Sequence, residues 1–376
     1  MRLFIRSIDV STDARLQRFT AALRHQDEPF LVAFWHRSGP SPNFDDPALI
    51  PFSRKAPIGA RWGNVFGILE WNAYVARAIW RRRQALSSVQ AVDLDCALIA
   101  CISCLLLRIP FIFDIYDSYP DSRGMRGITA ALVRRIEGWV ATRADLTIIA
   151  DAERRHQHRI GCGADVLVVE NVPATDWAPT PMPNMPLTLG YLGNLEAHHR
   201  GLEDVLEVVS ADPRYRLLVA GTGALEQRMR EAAASCDRIT FAGPVEHRDG
   251  MTLMARCNIM LGLYYLSVPN HRYAAPNKYY EHLILGRPLL TTCGTPPGAK
   301  VVKYGTGWAI TDGAAAISNW LSGLDHDAVA ECGARARARW EECYDDYVAT
   351  VINGEYVRRA AAIERVEADL ASKTSY

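Results

Sequence analysis

Three stretches in the second half of the chain combine glycines with charged residues in patterns that suit a phosphorylated ligand. The richest is PNKYYEHLILGRPLLTT, Pro276 to Thr292. Pro276 and Asn277 stop the incoming chain and start a helix, so Lys278 and Glu281 fall three residues apart on one face of its first turn. A helix N-terminus carries free N–H groups and a partial positive charge, a good seat for a diphosphate. Lys278 would add a full charge there, and Glu281 could accept hydrogen bonds from two ribose hydroxyls. The competing reading of the pair is an ordinary exposed salt bridge. In TLGYLGNLEAHHRGLEDVLEVV, Thr188 to Val209, a buried strand ends at Gly193, crosses a polar loop and enters a helix after Gly201. Gly193 lets the backbone approach a ligand closely, and Arg200 could bridge phosphate oxygens. His198 and His199 share that loop, but no carboxylate or cysteine spacing completes a metal site. In LLVAGTGALEQRMRE, Leu217 to Glu231, a strand meets Gly221-Thr222-Gly223 and then a helix. This is short of a full dinucleotide fingerprint, yet it has the topology of a ligand-facing turn.

Alternating strand-like and helix-like segments position these loops. The pattern predicts strands over Leu3–Ile8, Pro29–Trp35, Phe111–Ile115, Leu146–Ala150 and Val166–Glu170 in the first half. Helices are predicted over Asp13–His25, Phe66–Leu86, Cys96–Leu107 and Gly127–Ala144, and Ser38 to Asn64 reads as a long loop. VPATDWAPTPMPNMP, Val172 to Pro186, carries five prolines and no apolar period, so it reads as a linker. Beyond it the alternation restarts, with strands over Leu187–Leu192, Tyr215–Ala220, Ile239–Ala242, Ile259–Tyr264 and Pro288–Thr292. Strand and helix in alternation imply parallel, doubly wound sheets, which bind ligands beyond the carboxyl ends of their strands. The expected organisation is one domain over residues 1–172, a linker over 173–186 and a second domain over 187–345.

Composition narrows the classes. A chain of 376 residues suits two domains. Its 42 basic and 42 acidic residues leave no global field for nucleic acid. The nine cysteines are odd in number and sit mostly in apolar or helical surroundings, including the CxxC of Cys101 and Cys104. That pair reads as buried free thiols rather than a metal or redox site, and a reducing cytoplasm is the expected setting. The opening MRLFIRSIDV is too short an apolar run for a signal peptide. Cys96 to Phe113 is interrupted by Ser103, Arg108 and Pro110, which argues against a membrane span.

Taken in order, GYLGNL, RGLEDVLEVV, LLVAGTG, ITFAGPV and APNKYYEHLILGRPLLTT resemble the nucleotide-sugar half of bacterial glycosyltransferase family 4 (glycosyl transferases group 1), in its short PNK-type form, over residues 187–312. The N-terminal half is similar more loosely, through DLDCALIACISCLLLRIPFIFDIYDSYPD and RRIEGWVATRADLTIIADAE. The resemblance implies an α/β chain of two Rossmann-like, doubly wound domains facing a cleft (GT-B), with the last helix, from about residue 346, crossing back to the N-terminal domain. It also implies metal-independent, retaining transfer of a sugar from a UDP- or GDP-linked donor to a glycan or polyprenyl-linked acceptor, in surface or exopolysaccharide assembly, with no cofactor. Residue by residue, Arg200 and Lys278 match the family's diphosphate contacts, Glu281 its ribose carboxylate and Gly193 the glycine under the donor. Gly221, Gly223, Tyr273 and Asn277 complete the expected donor site. Two positions depart from the pattern: Asn194 stands where many members have arginine, and Tyr273 where many have glutamate.

In the first half, FDIYDSYPD places Asp114, Asp117 and Asp121 at and after a strand end. Asp117 is the leading candidate to contact the acceptor or the reacting sugar, with Asp114, Asp9 and Asp13 as further acceptor-side candidates; turn or helix capping is the competing reading. Asp93-Leu94-Asp95 is a DxD, the metal signature of a different glycosyltransferase class, but the tripeptide is common and nothing downstream fits that class. Basic and aromatic residues interleave in ARAIWRRRQ (Arg77, Trp80, Arg81, Arg82, Arg83), which could rest on anionic headgroups at the inner face of the membrane. The bland alternative is a solvated helix end. Two other functions stay open at this level: a non-catalytic nucleotide-sugar-binding subunit, and a sugar-nucleotide epimerase or hydrolase of the same fold.

Overall fold

Each half of the chain builds one open, all-parallel sheet. The computed structural model describes residues 1–38, 46–56, 65–174, 176–183 and 186–373. Much of the predicted Ser38–Asn64 loop lies outside the described residues. The chain divides into two compact units, one of Met1–Glu170 with Tyr347–Tyr376 and one of Asn171–Asp346.

The first unit contains β1 (Arg2–Arg6), β2 (Phe30–His36), β3 (Leu49–Ser53), β4 (Ser88–Val92), β5 (Phe111–Ile115), β6 (Leu146–Ile149) and β7 (Val166–Val168). Their order is β3-β2-β1-β4-β5-β6-β7, so strand order reverses between β1 and β4. β1, β4 and β5 are buried along their whole length, as central parallel strands covered on both faces must be. One face carries Trp35 stacked on Trp71 at 6.0 Å between ring centroids, packed with Ile5, Val89 and Phe113. The other carries Phe4, Phe19, Ile112 and Ile148, and the end of the chain covers it. After wide turns over Val348–Tyr356, the last helix, Val357–Lys373, belongs to this unit. Tyr356 anchors it, with its ring 4.4 Å from Phe19 and its hydroxyl donating to Gln90 at 2.6 Å.

Two of these strands differ from the sequence expectation. β3 lies inside the segment read as a loop, and β4 falls between two predicted helices with no strand foreseen. The helix expected to reach Leu86 ends at Arg82, which frees the chain to enter β4.

The second unit contains β8 (Leu187–Leu192), β9 (Tyr215–Ala220), β10 (Ile239–Gly243), β11 (Ile259–Gly262), β12 (Leu289–Thr292) and β13 (Gly307–Ile310), the last not foreseen. Their order is β10-β9-β8-β11-β12-β13, the same winding, with the reversal between β8 and β11. Leu189, Leu217, Ile259 and Leu290 form its core with Val205 and Val209 of the helix Leu202–Ala211. Among the described residues no helix is long and apolar enough to cross a membrane.

Candidate functional site

In an open parallel sheet the ligand seat lies beyond the carboxyl ends of the strands where their order reverses. In the second unit that place is the loop leaving β8, flanked by the loop leaving β9. The two are laced together: Gly193 N–H donates to Ala220 O at 3.0 Å and Leu195 N–H to Thr222 O at 2.8 Å, while Gly221 N–H ties the second loop to Gly243 O at the end of β10, at 2.8 Å. The lacing is tight enough to exclude side chains. A Cβ on Gly221, whose φ is +138°, would stand 1.8 Å from the Gly193 carbonyl oxygen, so only glycine fits. A Cβ on Gly193 would stand 2.8 Å from the Lys278 ammonium nitrogen, and a Cβ on Gly223 would stand 2.7 Å from Asn194 Oδ1.

Lys278 therefore lies directly on the Gly193 turn. It opens the helix Lys278–Leu285, and its ammonium sits 4.5 Å above the ring of Tyr191, whose hydroxyl donates to Asn194 O at 2.6 Å. Burial pushes the Lys278 pKa down to about 8; the Glu281 carboxylate opposes the fall and the Arg200 guanidinium adds to it. Arg200 packs 4.9 Å over the ring of Tyr264 and pairs with Glu196, Nε to Oε2 at 3.2 Å. Asn194 also donates to Glu196, at 3.1 Å. Glu281 is buried, and Oε1 meets His247 Nε2 at 2.9 Å. That hydrogen bond raises the His247 pKa against the effect of burial. A cavity of about 380 Å³ lined by Asp176, Trp177, His247 and Arg248 lies beside this pair. Tyr273 is half-buried at the end of the short turn Pro269–Tyr273, and Asn277 is exposed just before the helix.

Gly193, Asn194, Arg200, Gly221, Gly223, Lys278 and Glu281 are thus gathered around one turn. Glu196 and His247 join them without having been singled out in the sequence. Glu196 stands four residues before Arg200, but in a loop, where that spacing carries no signal; His247 is 34 residues from Glu281. His198 pairs with Glu203 and His199 approaches Ser267, and among the described residues no cluster of three His, Cys, Asp or Glu could hold a metal ion.

The acceptor-side candidates separate in the first unit. Asp114 is fully buried inside β5, with Oδ1 3.1 Å from Arg15 Nη2 and Oδ2 accepting from Gln90. Asp13 is buried too: it caps the helix Ala14–His25, pairs with Arg6 at 2.6 Å and accepts from the Tyr116 hydroxyl at 3.0 Å. Both carboxylates are thus engaged by interior donors of their own unit. Asp9 stays partly exposed, accepting from Ser11 N–H and pairing with His36 at 2.8 Å. Asp117 is half exposed, 3.1 Å from Arg154 Nη2. The DxD carboxylates serve the loops: Asp93 accepts from Tyr116 N–H and pairs with Arg6, and Asp95 accepts from Ser7 Oγ.

No protein-family model matches the chain, and no curated protein matches it in sequence. Solved structures match it across nearly its whole length. Anabaena HepE in complex with UDP gives a TM-score of 0.67 at 14% identity, covering 96% of this chain and 99% of that one. Sucrose-phosphate synthase from Thermosynechococcus elongatus gives 0.65 at 14% identity, over 99% and 100% of the two chains. The E. coli trehalose-6-phosphate protein bound with UDP-2-fluoro glucose gives 0.62 at 11% identity, over 97% and 99%. At such identities the likeness is one of fold, and with two parallel sheets wound in the same order it assigns this chain the GT-B fold.

Proposed function

We propose that this protein is a glycosyltransferase of family 4 type. It takes a sugar from a UDP- or GDP-linked donor and passes it to a glycan or polyprenyl-linked acceptor, in surface or exopolysaccharide assembly on the cytoplasmic side of the membrane. One observation carries the reading: at the strand reversal of the second sheet, an incompletely compensated lysine lies on a glycine turn, with Arg200 and Glu281 near enough for their charges to act on it. A diphosphate placed there supplies the missing negative charge, and Glu281 offers its oxygens to the ribose. The base is assigned to the cavity beside His247. HepE, of the same fold, has been captured with UDP and with UDP-glucose.

In the proposed reaction the bond from the anomeric carbon to the leaving phosphate breaks as the acceptor oxygen bonds that carbon on the same face. The acceptor's proton passes to the departing phosphate oxygen, so no separate base is required. Arg200, Lys278 and the N–H groups at the start of its helix stabilise the charge that develops on the leaving group. On the first unit, Asp117 is the residue proposed to contact the acceptor.

Thermal melting with UDP, GDP and their sugars tests the donor side, since a ligand that binds only the folded state raises its stability. Arg200→Ala should weaken nucleotide binding. Asp117→Ala should spare binding and reduce transfer. If no nucleotide diphosphate raises the melting temperature, the reading fails. A second reading, a binding subunit without turnover, draws on Asn194, which contributes an amide to Glu196 where the family pattern has a further cation. Donor binding with no transfer to any extracted lipid-linked acceptor would favour it.

A further inference from the structure

Among the described residues, eleven large apolar side chains stand well exposed, and nine of them lie on three helices of the first unit. The middle one, Leu94–Leu107, has its buried side filled by Ala97, Ala100, Cys101 and Cys104. Its outward side presents Ile102, Leu105 and Leu106, and after Asp95 the helix contains no charged residue. A helix apolar all round is normally covered on every side. Its two neighbours, Val65–Arg82 and Gly127–Arg143, pack against it. They extend the apolar surface with Phe66 and Leu69 on one flank and Ile128 and Leu132 on the other. Phe66, Leu106 and Ile128 are 77%, 70% and 87% exposed. Exposed apolar side chains concentrated on one set of packed helices mark an interaction site.

The charges around it identify the partner. Arg77, Arg81, Arg83, Arg108, Arg135 and Arg143 are exposed on or just beyond these helices. The exposed carboxylates there are Glu70, paired with Arg54, and Asp145, which accepts from Phe111 N–H. Two tryptophans, Trp80 and Trp139, sit among the arginines: Arg83 donates to Trp80 O at 2.9 Å, and the Arg143 guanidinium lies 6.0 Å from the Trp139 ring. Apolar side chains that can enter hydrocarbon, tryptophans suited to the headgroup level and arginines that reach phosphate describe an interfacial surface. A second copy of this chain is the poorer occupant, because a self-complementary contact would set arginines against arginines. We infer that this three-helix face docks on an anionic phospholipid bilayer. The inference deepens the membrane-side part of the function proposed above and is independent of its donor chemistry.

Cosedimentation of the full chain with vesicles tests it. The protein should pellet with phosphatidylcholine vesicles holding about a third phosphatidylglycerol, pellet poorly with phosphatidylcholine alone, and release as salt rises. A triple variant, Phe66→Ser, Leu106→Ser, Ile128→Ser, should lose at least about tenfold in vesicle affinity, given the apolar area each side chain can bury. Its melting curve and its response to UDP should match wild type, since all three side chains already face water. Three results would overturn the inference: wild type that ignores anionic vesicles, a variant that binds them as well as wild type, or a wild-type dimer that the variant converts to monomer. Vesicle binding without any response to UDP would leave the docking face standing and remove the donor reading; the reverse pattern would do the opposite.

Discussion

Replacing Lys278 with methionine should make the nucleotide-free protein harder to melt while abolishing its response to UDP. The pKa of Lys278 is pushed from the usual 10.5 down to about 8, chiefly by burial. That difference corresponds to about 3 kcal/mol held against the charged form in the folded protein. Lys278 is partly exposed, so solvent and small rearrangements screen some of it, and a gain of about 1–2 kcal/mol is expected on removing the charge. For a domain of this size that is a rise of about 3–6 °C. The sign can be checked with pH. Below pH 8 the ammonium is charged in both folded and unfolded chains, and its cost is fully present. Between about 8 and 10.5 the folded protein gives up a proton that the unfolded chain keeps, so wild type gains stability as pH rises through that window. The advantage of the variant should therefore be largest near pH 7 and fade above pH 10. With UDP the order reverses: wild type should gain about 2.7 kcal/mol at a hundredfold excess over its dissociation constant, and the variant little. A Lys278→Met protein that melts below wild type at pH 7, or that UDP protects as well as wild type, refutes the reasoning.

Three further outcomes can be tested, two in the same network and one in the first unit. Glu281→Ala should weaken nucleotide binding by about 10- to 100-fold, the worth of hydrogen bonds to a charged group, whereas His247→Ala should spare or strengthen it in a calorimetric titration, because His247 occupies the carboxylate oxygen that a ribose would take. Asp114→Ala should cost about 3–5 kcal/mol in a denaturant melt, by stranding the buried Arg15 charge; a variant as stable as wild type would keep Asp114 among the candidate functional carboxylates.

The sequence made most strands legible because their apolar runs are bounded by turn residues, as in LTLGYL, YRLLVA and FIFDI. Two of the three missed strands break that pattern for a physical reason. β4 reads SVQAV, and Gln90 looks out of place in a buried strand until Tyr356 arrives from 266 residues away to donate to it. β3 reads LIPFS, and a proline is tolerated there because the strand lies at the edge of its sheet. The site divides the same way. Lys278 and Glu281 share one helical turn, so their joint placement could be read locally. Glu196 and His247 reach their partners through loop and tertiary geometry. Asp114 shows the opposite case: a carboxylate at a strand end looks functional, and the arginine that pairs with it stands 99 residues earlier.

The two sheets have the same strand order at their reversal points but compensate their charges differently, and this has a measurable consequence. Beyond β1, the charges close on one another: Arg6 bridges Asp13 and Asp93, and Arg15 holds Asp114. Asp93 and Asp13 raise the Arg6 pKa well above its usual value in spite of burial, as a satisfied cation requires. Beyond β8, Lys278 moves the other way, because its neighbours do not make up for the water it has lost. An anion arriving from solution therefore has something to gain at Lys278, whereas near β1 Arg18, lowered to about 10 by burial and by Arg15, has the Asp13 carboxylate close by. Hydrogen exchange should show it. With saturating UDP, amides of residues 193–201, 221–225 and 278–285 should exchange more slowly, while those of residues 93–96 and 114–117 stay at their nucleotide-free rates. Protection appearing at the first reversal alone would place the nucleotide on the other sheet and contradict this assignment of charge to function.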